Sequence, residues 1–585
     1  MLQSRSVSRL VSSVFAASAL TVAARAQGLP VTLWSQNGPA FPGANFGEGV
    51  AGLGDLDGDG KSDWIVGAPG LTVSGLSAAG RATVYYSSGA TPVQLDGTTA
   101  FERFGASLSS AGDQNGDGKP EFLVAAPNHS SSGMALRGRI ALYDGATCAL
   151  ITQWWGLAAN MQWGVTMCTL GDLDGDGKSE YAFNGNTFST AFAPLPAIYV
   201  MSGALNQVYC TQISFANTPN SAPYDIDSAG DMNGNGAADL IVGRGADTQV
   251  YALPNVFGGA TSLMFTIPVR GEVVAGPGDV NADGVRDIAI ANRNLGPLGG
   301  LQGFVGVYSG ATQAQLWSVL GSGGQDEFGA SMCAISDFSG DGAGELVVGA
   351  PQRQSGFLGT GYVRVLSGAN GVKLAEWIGT GSPSNPAQFG SSVANAGDVD
   401  GDGKQDYLIG DRGRDLGTQI DAGFAMIAKG ALAGATVGTQ FCHCPPSSPA
   451  ACGNTHNGLG GCLNTLGTPG LLAGFGTASV TADDLFLVAS GLPASSTVFF
   501  FSGTASAAPG FPLYSGLMCV TGTITRLPAV TASNGVAVKG PHQLAAQGGY
   551  LAGTTAFFQA QYRNINGPCG ANANQTNALA VTFTP

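Results

Sequence analysis

Imidazole is scarce in this chain. The 585 residues hold four histidines, His129, His443, His456 and His542, and none stands in a nucleophile or metalloprotease motif. There is no Gly-x-Ser-x-Gly elbow, no His-Glu-x-x-His pair and no phosphate loop, so the usual signatures of acyl transfer, zinc proteolysis and nucleotide hydrolysis are absent. Basic side chains are also few, 24 Lys and Arg against 39 acids, which speaks against a nucleic-acid partner. Beyond Leu10 to Ala23, no apolar run approaches the roughly 18 residues needed to span a bilayer.

What is abundant is glycine, 92 residues, set among short apolar runs in a chain that is 44% hydrophobic. Many short strands closed by Gly-rich turns predict an all-β protein. The first 26 residues carry Arg5 and Arg9, an apolar stretch and Ala24-Arg25-Ala26. They read as a secretory signal peptide cleaved after Ala26, so the mature protein is expected to be secreted or at the cell-envelope surface.

Seven times an acidic loop recurs, Asp-x-[Asp/Asn/Ser]-x-[Asp/Asn]-Gly-x-x-[Asp/Glu], with steps of 58, 59, 59, 48, 58 and 61 residues. So regular a period predicts an array of one supersecondary unit. Oxygens at positions 1, 3, 5 and 9, with the backbone carbonyl of position 7, suit a hard cation such as Ca²⁺, and the glycine at position 6 allows the reversal that turns them inward. The candidate ligands of the first three loops are Asp55, Asp57, Asp59, Lys61 and Asp63; Asp113, Asn115, Asp117, Lys119 and Glu121; and Asp172, Asp174, Asp176, Lys178 and Glu180. Those of the next two are Asp231, Asn233, Asn235, Ala237 and Asp239, then Asp279, Asn281, Asp283, Val285 and Asp287. The last two are Asp337, Ser339, Asp341, Ala343 and Glu345, then Asp398, Asp400, Asp402, Lys404 and Asp406.

Up to seven Ca²⁺ are therefore expected. The loops at Asp55, Asp172 and Asp398 carry the most charge, while Asn233, Asn235 and Ser339 weaken the loops at Asp231 and Asp337. Asp, Asn and Gly also build tight turns without any metal, but four acids within nine residues repel one another unless a cation is present. Position 12 is apolar, as at Val66 and Ile409, where an EF-hand needs a bidentate Glu. The loops are therefore expected to join strands. They hold 23 of the 39 acids, and without the leader the chain carries 21 bases, a net charge of −18 that seven Ca²⁺ would bring to −4. A basic partner is not needed to explain the acidity.

Aromatic-Gly pairs precede most loops, at Phe46-Gly47, Phe104-Gly105, Trp163-Gly164, Phe328-Gly329 and Phe389-Gly390, and Gly67-Ala68-Pro69 and Gly349-Ala350-Pro351 follow. Bracketing an Asp-rich loop, these pairs resemble the FG-GAP repeats of the integrin α-chain amino-terminal propeller, over residues 30 to 440. The resemblance implies seven four-stranded blades, with the calcium loops on the rim opposite the ligand-binding face. Thr32-Leu33-Trp34-Ser35 resembles the fourth-strand sequence Gln315-Leu316-Trp317-Ser318, so it is expected to latch the ring as the outer strand of blade seven. The blade at Asp231, about ten residues short, is expected to be irregular.

The expected organisation is a seven-bladed β-propeller over 27–440, a Cys/Pro-rich linker over 441–455 and a small β-sandwich-like module over 456–585. Six cysteines fall in the last 145 residues, enough for three disulfides among 15 connectivities. The Cys442-His443-Cys444 cluster, with Cys452, His456 and Cys462, matches no standard zinc spacing. Cys148, Cys168, Cys210 and Cys333 read as buried small residues.

The function expected is a non-catalytic, calcium-binding module for an extracellular protein or glycan. The alternatives are a structural envelope or scaffold component and an accessory module of a polysaccharide- or lipid-acting enzyme, and the oligomeric state is not legible. By the same resemblance the contact loops are Leu71 to Gly80, Asn128 to Arg137, Gln352 to Thr360 and Arg412 to Asp421. No inserted von Willebrand-type domain, membrane helix or second-subunit signature is present, so integrin signalling does not carry over.

Overall fold

The computed structural model describes residues 31–188, 194–205, 207–216, 222–295, 302–323, 325–339, 342–352, 360–379, 387–430, 437, 439–444, 461–475, 478–480, 485–493, 496–532, 537–539, 544 and 548–584. The expected leader, Asp341, most of the Gln352 to Thr360 loop, Cys452, His456 and His542 lie outside them. Two compact units make up the chain, one of Val31–Gly430 and one that includes Ala431–Pro585.

The first unit is seven four-stranded antiparallel sheets, a seven-bladed propeller. Blade one shows the plan: Val50–Gly54, Asp63–Ala68, Arg81–Tyr85 and Val93–Asp96, paired in that order. The acidic loop lies between the first two strands, and its ninth residue begins the second. That second strand is buried at every position, as are Glu121–Ala126, Asp287–Asn292, Glu345–Ala350 and Asp406–Asp411. Strands covered on both faces call for unbroken apolar runs, which is why Trp64-Ile65-Val66 does not alternate with polar residues.

The expected latch is present. Thr32–Asn37 pairs antiparallel with Phe424–Ala428, with Trp34 opposite Ile427, and completes the sheet of Phe389–Gly397 and Asp406–Asp411. It gives Phe424–Ala428 a partner on its outer side and makes blade seven four-stranded like the others.

The sequence signature is a contact between blades. A Cβ on Gly67 would lie 2.0 Å from the carbonyl oxygen of Gly105, one on Gly349 the same distance from that of Gly390, and one on Gly410 from that of Gly47. The glycine of each aromatic-Gly pair thus lies against the second strand of the preceding blade, with φ between 82° and 89° at Gly47, Gly105, Gly164, Gly329 and Gly390. Only glycine meets both demands. The aromatic residues bridge to the preceding blade, Phe104 to Gly80, Phe328 to Gly303 and, across the ring closure, Phe46 to Gly423. In most blades the pair therefore precedes the first strand; only Phe389-Gly390 opens one.

The blade at Asp231 has four well-formed strands, Pro223–Gly230, Asp239–Arg244, Thr248–Ala252 and Ser262–Ile267. Its missing residues come out of the link between the second and third strands, which Arg244 and Asp247 close with a paired hydrogen bond of 2.7 and 2.8 Å. The irregular blade is instead the third, whose outer strand is only Ile213–Ser214.

In the second unit, a sheet ordered Thr439–Phe441, Ala573–Thr582, Thr555–Arg563, Thr497–Leu513, Gly516–Arg526 accompanies a three-stranded sheet of Leu471–Phe475, Phe486–Ser490 and Ala537–Lys539. Leu472 and Leu487 from the smaller sheet share one core with Phe500, Phe558 and Leu579 from the larger, so the two face each other. Cys442–Cys519 and Cys444–Cys462 are disulfides, and Cys569 is bonded as well. Pairing takes Cys442 and Cys444 out of contention as zinc ligands. Cys148, Cys168 and Cys210 are free and buried, and Cys333 is free and half-buried.

Candidate metal loops and the opposite face

Each acidic loop is wound around its first aspartate. In blade one the backbone N–H groups of Gly58 and Gly60 donate to Asp55 at 2.6 and 2.8 Å, and blades three and seven repeat the pattern at Asp172 and Asp398. The N–H of position 7 donates to the carboxylate of position 5, Lys61 to Asp59 at 2.9 Å.

The ninth residue is the buried anchor. Asp63, Glu121, Glu180, Asp239, Asp287, Glu345 and Asp406 are all fully buried. One carboxylate oxygen accepts the N–H of position 2, at 2.9 Å from Leu56 to Asp63 and from Val399 to Asp406. The other accepts an N–H from the segment that follows the third strand, Ser87 at 2.8 Å in blade one and Gly430 at 2.7 Å in blade seven. Burial pushes Asp63, Glu121 and Asp287 up, Glu180 to about 7 and Asp239 and Asp406 to about 6, against the pull of those same hydrogen bonds. A nearby cation would favour the charged form in each case.

Four blades draw three carboxylates together with oxygens within 4.8 Å of one another: Asp55, Asp57 and Asp63; Asp172, Asp174 and Glu180; Asp398, Asp400 and Asp406; and Asp117, Glu121 and Asp144. Two oxygens on one Ca²⁺ at roughly 2.3–2.6 Å are at most about 5 Å apart, so these clusters fit that ion. Positions 1, 3 and 9 converge in the first three. Asp59 instead accepts from the Ser87 hydroxyl at 3.0 Å. Asp144, at the hairpin turn of blade two, is a member that the nine-residue motif does not contain.

The remaining loops differ. In blade four the Asn233 amide donates to Asp239 at 2.9 Å and the Asn235 amide to the Leu253 carbonyl at 2.9 Å, so Asn side chains close the loop by hydrogen bonds. In blade five the Asn281 amide donates to Asp283 at 2.9 Å. In blade six Ser339 stands at position 3, and its hydroxyl donates to Asp337 at 3.4 Å.

On the opposite face the starts of all seven first strands ring a channel mouth of about 420 Å³. Two glutamates at this mouth each sit between two arginines, Glu48 beside Arg103 and Arg412 and Glu272 beside Arg270 and Arg293. Three expected contact loops fold alike, each pinned by an antiparallel bridge: Val73 with Leu76, Ser131 with Met134 and Leu416 with Gln419. No helix among the described residues is long and apolar enough to cross a membrane.

Residues 328–366 match the FG-GAP repeat family. Phosphatidylinositol-glycan-specific phospholipase D of Mus musculus is 31% identical over 156 residues, covering 24% of this chain and 18% of that protein. Integrin alpha-4 of Xenopus laevis is 28% identical over 166 residues, 26% of this chain and 15% of that one. Integrin alpha-PS2 of Drosophila melanogaster is 35% identical over 115 residues, 18% of this chain and 8% of that one. The matched region thus spans less than a fifth of each relative's length.

Proposed function

From the premise that this is an integrin-like FG-GAP repeat protein, we propose that it is a secreted propeller that binds Ca²⁺ on one rim and an extracellular protein or carbohydrate on the other. The observation that carries the calcium half is the convergence of three carboxylates in each of four blades, around buried position-9 acids that form no ion pair among the described residues. The opposite face carries the ligand half. It gathers the channel mouth, with its glutamate–arginine pairs, and the bridged loops on one ring, the arrangement in which scaffolded loops recognise partners. A screen of glycans and matrix proteins in calcium and in chelator tests the reading: saturable binding that chelation weakens is expected. Metal analysis of the purified protein without calcium would refute the first half, and an empty screen the second.

The phospholipase D match favours a second reading, an accessory propeller working beside a lipid-acting catalytic domain. Lipid cleavage by the pure protein would favour that reading over a stand-alone binding module.

A further inference from the structure

A second cavity of about 350 Å³ opens on the same face between blades one and two. That volume falls within the roughly 300–1,000 Å³ of small-molecule sites. Its floor is a buried charge cluster. Glu102, fully buried, receives His129 Nδ1 at 2.5 Å, an Arg139 guanidinium nitrogen at 3.2 Å and the Thr99 N–H at 3.1 Å. Burial alone would push the Glu102 carboxyl up, but the His129 hydrogen bond and the Arg139 charge outweigh it and hold the carboxyl below its ordinary range. Glu102 is therefore an anion, and it answers for Arg139.

Nothing answers for Arg137. Its Nε donates to the Gly156 carbonyl at 2.7 Å and its Nη1 to the Ser131 hydroxyl at 3.3 Å, both neutral acceptors, and it forms no ion pair among the described residues. Arg139, buried against the Phe104 ring at 5.0 Å, keeps its Nε without an acceptor among the described residues. The cavity thus holds an excess of positive charge on a protein whose net charge is −15. Trp155, 36% exposed on the outermost strand of the blade, forms one wall. Gln153, whose side-chain oxygen accepts from Arg139 at 3.3 Å, and the hydroxyls of Thr98 and Ser132 line the rest.

An unmatched planar guanidinium, a partly exposed indole and a set of neutral donors together suit a sugar ring that bears a carboxylate. The guanidinium fork matches the carboxylate and the indole face covers the apolar side of the ring. We propose that this cavity binds a uronic-acid residue of an acidic polysaccharide, with Arg137 pairing the carboxylate and Trp155 stacking on the ring. The inference rests on the binding-module reading and names its ligand class.

The test uses the full mature protein with calcium and three acidic tetrasaccharides, from hyaluronan, alginate and polygalacturonate, with neutral chitotetraose and a deca-glutamate peptide as comparators. At least one acidic tetrasaccharide is expected to bind saturably, at least tenfold more tightly than chitotetraose. Trp155→Ala and Arg137→Gln are each expected to weaken it tenfold or more while leaving the melting temperature within a degree or two of wild type. Absence of binding by all three acidic sugars, equal binding of the neutral one, capture of the peptide alone, or indifference to both substitutions would each overturn the proposal. In the broader screen, saturable binding of another ligand would leave the binding-module reading standing without this site; no binding at all would remove both.

Discussion

Lys429 Nζ lies 2.9 Å from the Asp402 carboxylate, and it also contacts Asp400. By register with the second strand, Lys429 occupies the position of Tyr86 in blade one and of Asp144 in blade two, where the carboxylate joins the cluster; the Ser88 hydroxyl that meets Asp57 in blade one lies two residues further on. Hydrogen bonds to both acids push the Lys429 amine above its ordinary range, so it stays charged. Blade seven therefore carries its own cation among residues that the sequence ranks with the strongest calcium ligands. Calcium there must displace an ammonium. Lys429→Ser is expected to raise calcium affinity at one site at least tenfold in titration calorimetry and to lower the melting temperature in chelator. Unchanged binding isotherms would show that the amine does not compete.

Positions 3 and 9 of one loop should separate metal binding from architecture. Asp63 ties the Leu56 and Ser87 N–H groups, whereas Asp57 is exposed. Asp63→Ala leaves the buried Leu56 N–H unsatisfied, at about 1–3 kcal/mol, and the half-buried Ser87 N–H without its partner, and is expected to lower the melting temperature with or without calcium. Asp57→Ala should lower it only in calcium, where an ion bound to the native state alone contributes roughly 2.7 kcal/mol at a hundredfold excess over its dissociation constant. Equal losses from Asp57→Ala in calcium and in chelator would mean that the loop is a turn and nothing more.

The ring, its seven blades and its latch were legible because they rest on local, repeated chemistry: an Asp-rich reversal, a buried apolar run and a glycine at fixed offsets. Trp34 could be placed in blade seven because its neighbours repeat those of Trp317. What the sequence does not reveal depends on residues brought together from different elements. Asp144 joins Asp117 and Glu121 from a hairpin 23 residues further along the chain than Glu121, and no motif spans that gap. The Glu102, His129 and Arg139 cluster gathers two blades, and nothing in the local pattern marks Glu102 as its centre. The aromatic-Gly pair is visible as a pattern, but its cause, the approach of Gly105 to Gly67, appears only once neighbouring blades are in place.

Asp411 gives a pH dependence with a definite sign. It ends the second strand of blade seven, is fully buried, and has one oxygen without a hydrogen-bond partner among the described residues while the other accepts the Gln388 N–H at 2.7 Å. Burial pushes its carboxyl to about 7, against the pull of the Gln388 hydrogen bond and the Arg414 charge. A folded pKa above the unfolded value near 4 means that the native state holds the extra proton, so this contribution is intact below about pH 4 and lost as pH rises through 7. Asp411→Asn keeps the shape and cannot ionise. It is expected to stabilise the propeller by on the order of 2–4 kcal/mol at pH 8 and by little at pH 4. Thermal melts of both proteins across that range in chelator check it, and parallel curves would rule out Asp411 as the titrating group.

The latch supplies the last prediction. Trp34 stands on the strand that closes the ring and meets Trp64 edge-on at 5.2 Å and Tyr85 at 4.8 Å, both in blade one. One side chain therefore links the outer strand of blade seven to the blade beside it, and it is the earliest large aromatic of the propeller in sequence. Truncating a packed tryptophan costs about 3–5 kcal/mol when fully buried, and the half-buried Trp34 should lose about 2–3 kcal/mol as Trp34→Ala. Trp34→Phe retains most of the ring contact and should lose far less. Deleting residues 31–37 goes further: it strips Phe424–Ala428 of its partner and exposes an open strand edge, which templates association between chains. The deletion is expected to lower the melting temperature more than Trp34→Ala and to shift the protein to larger species in light scattering. A monodisperse deletion variant with wild-type melting would mean that the ring is held closed by contacts between blades alone.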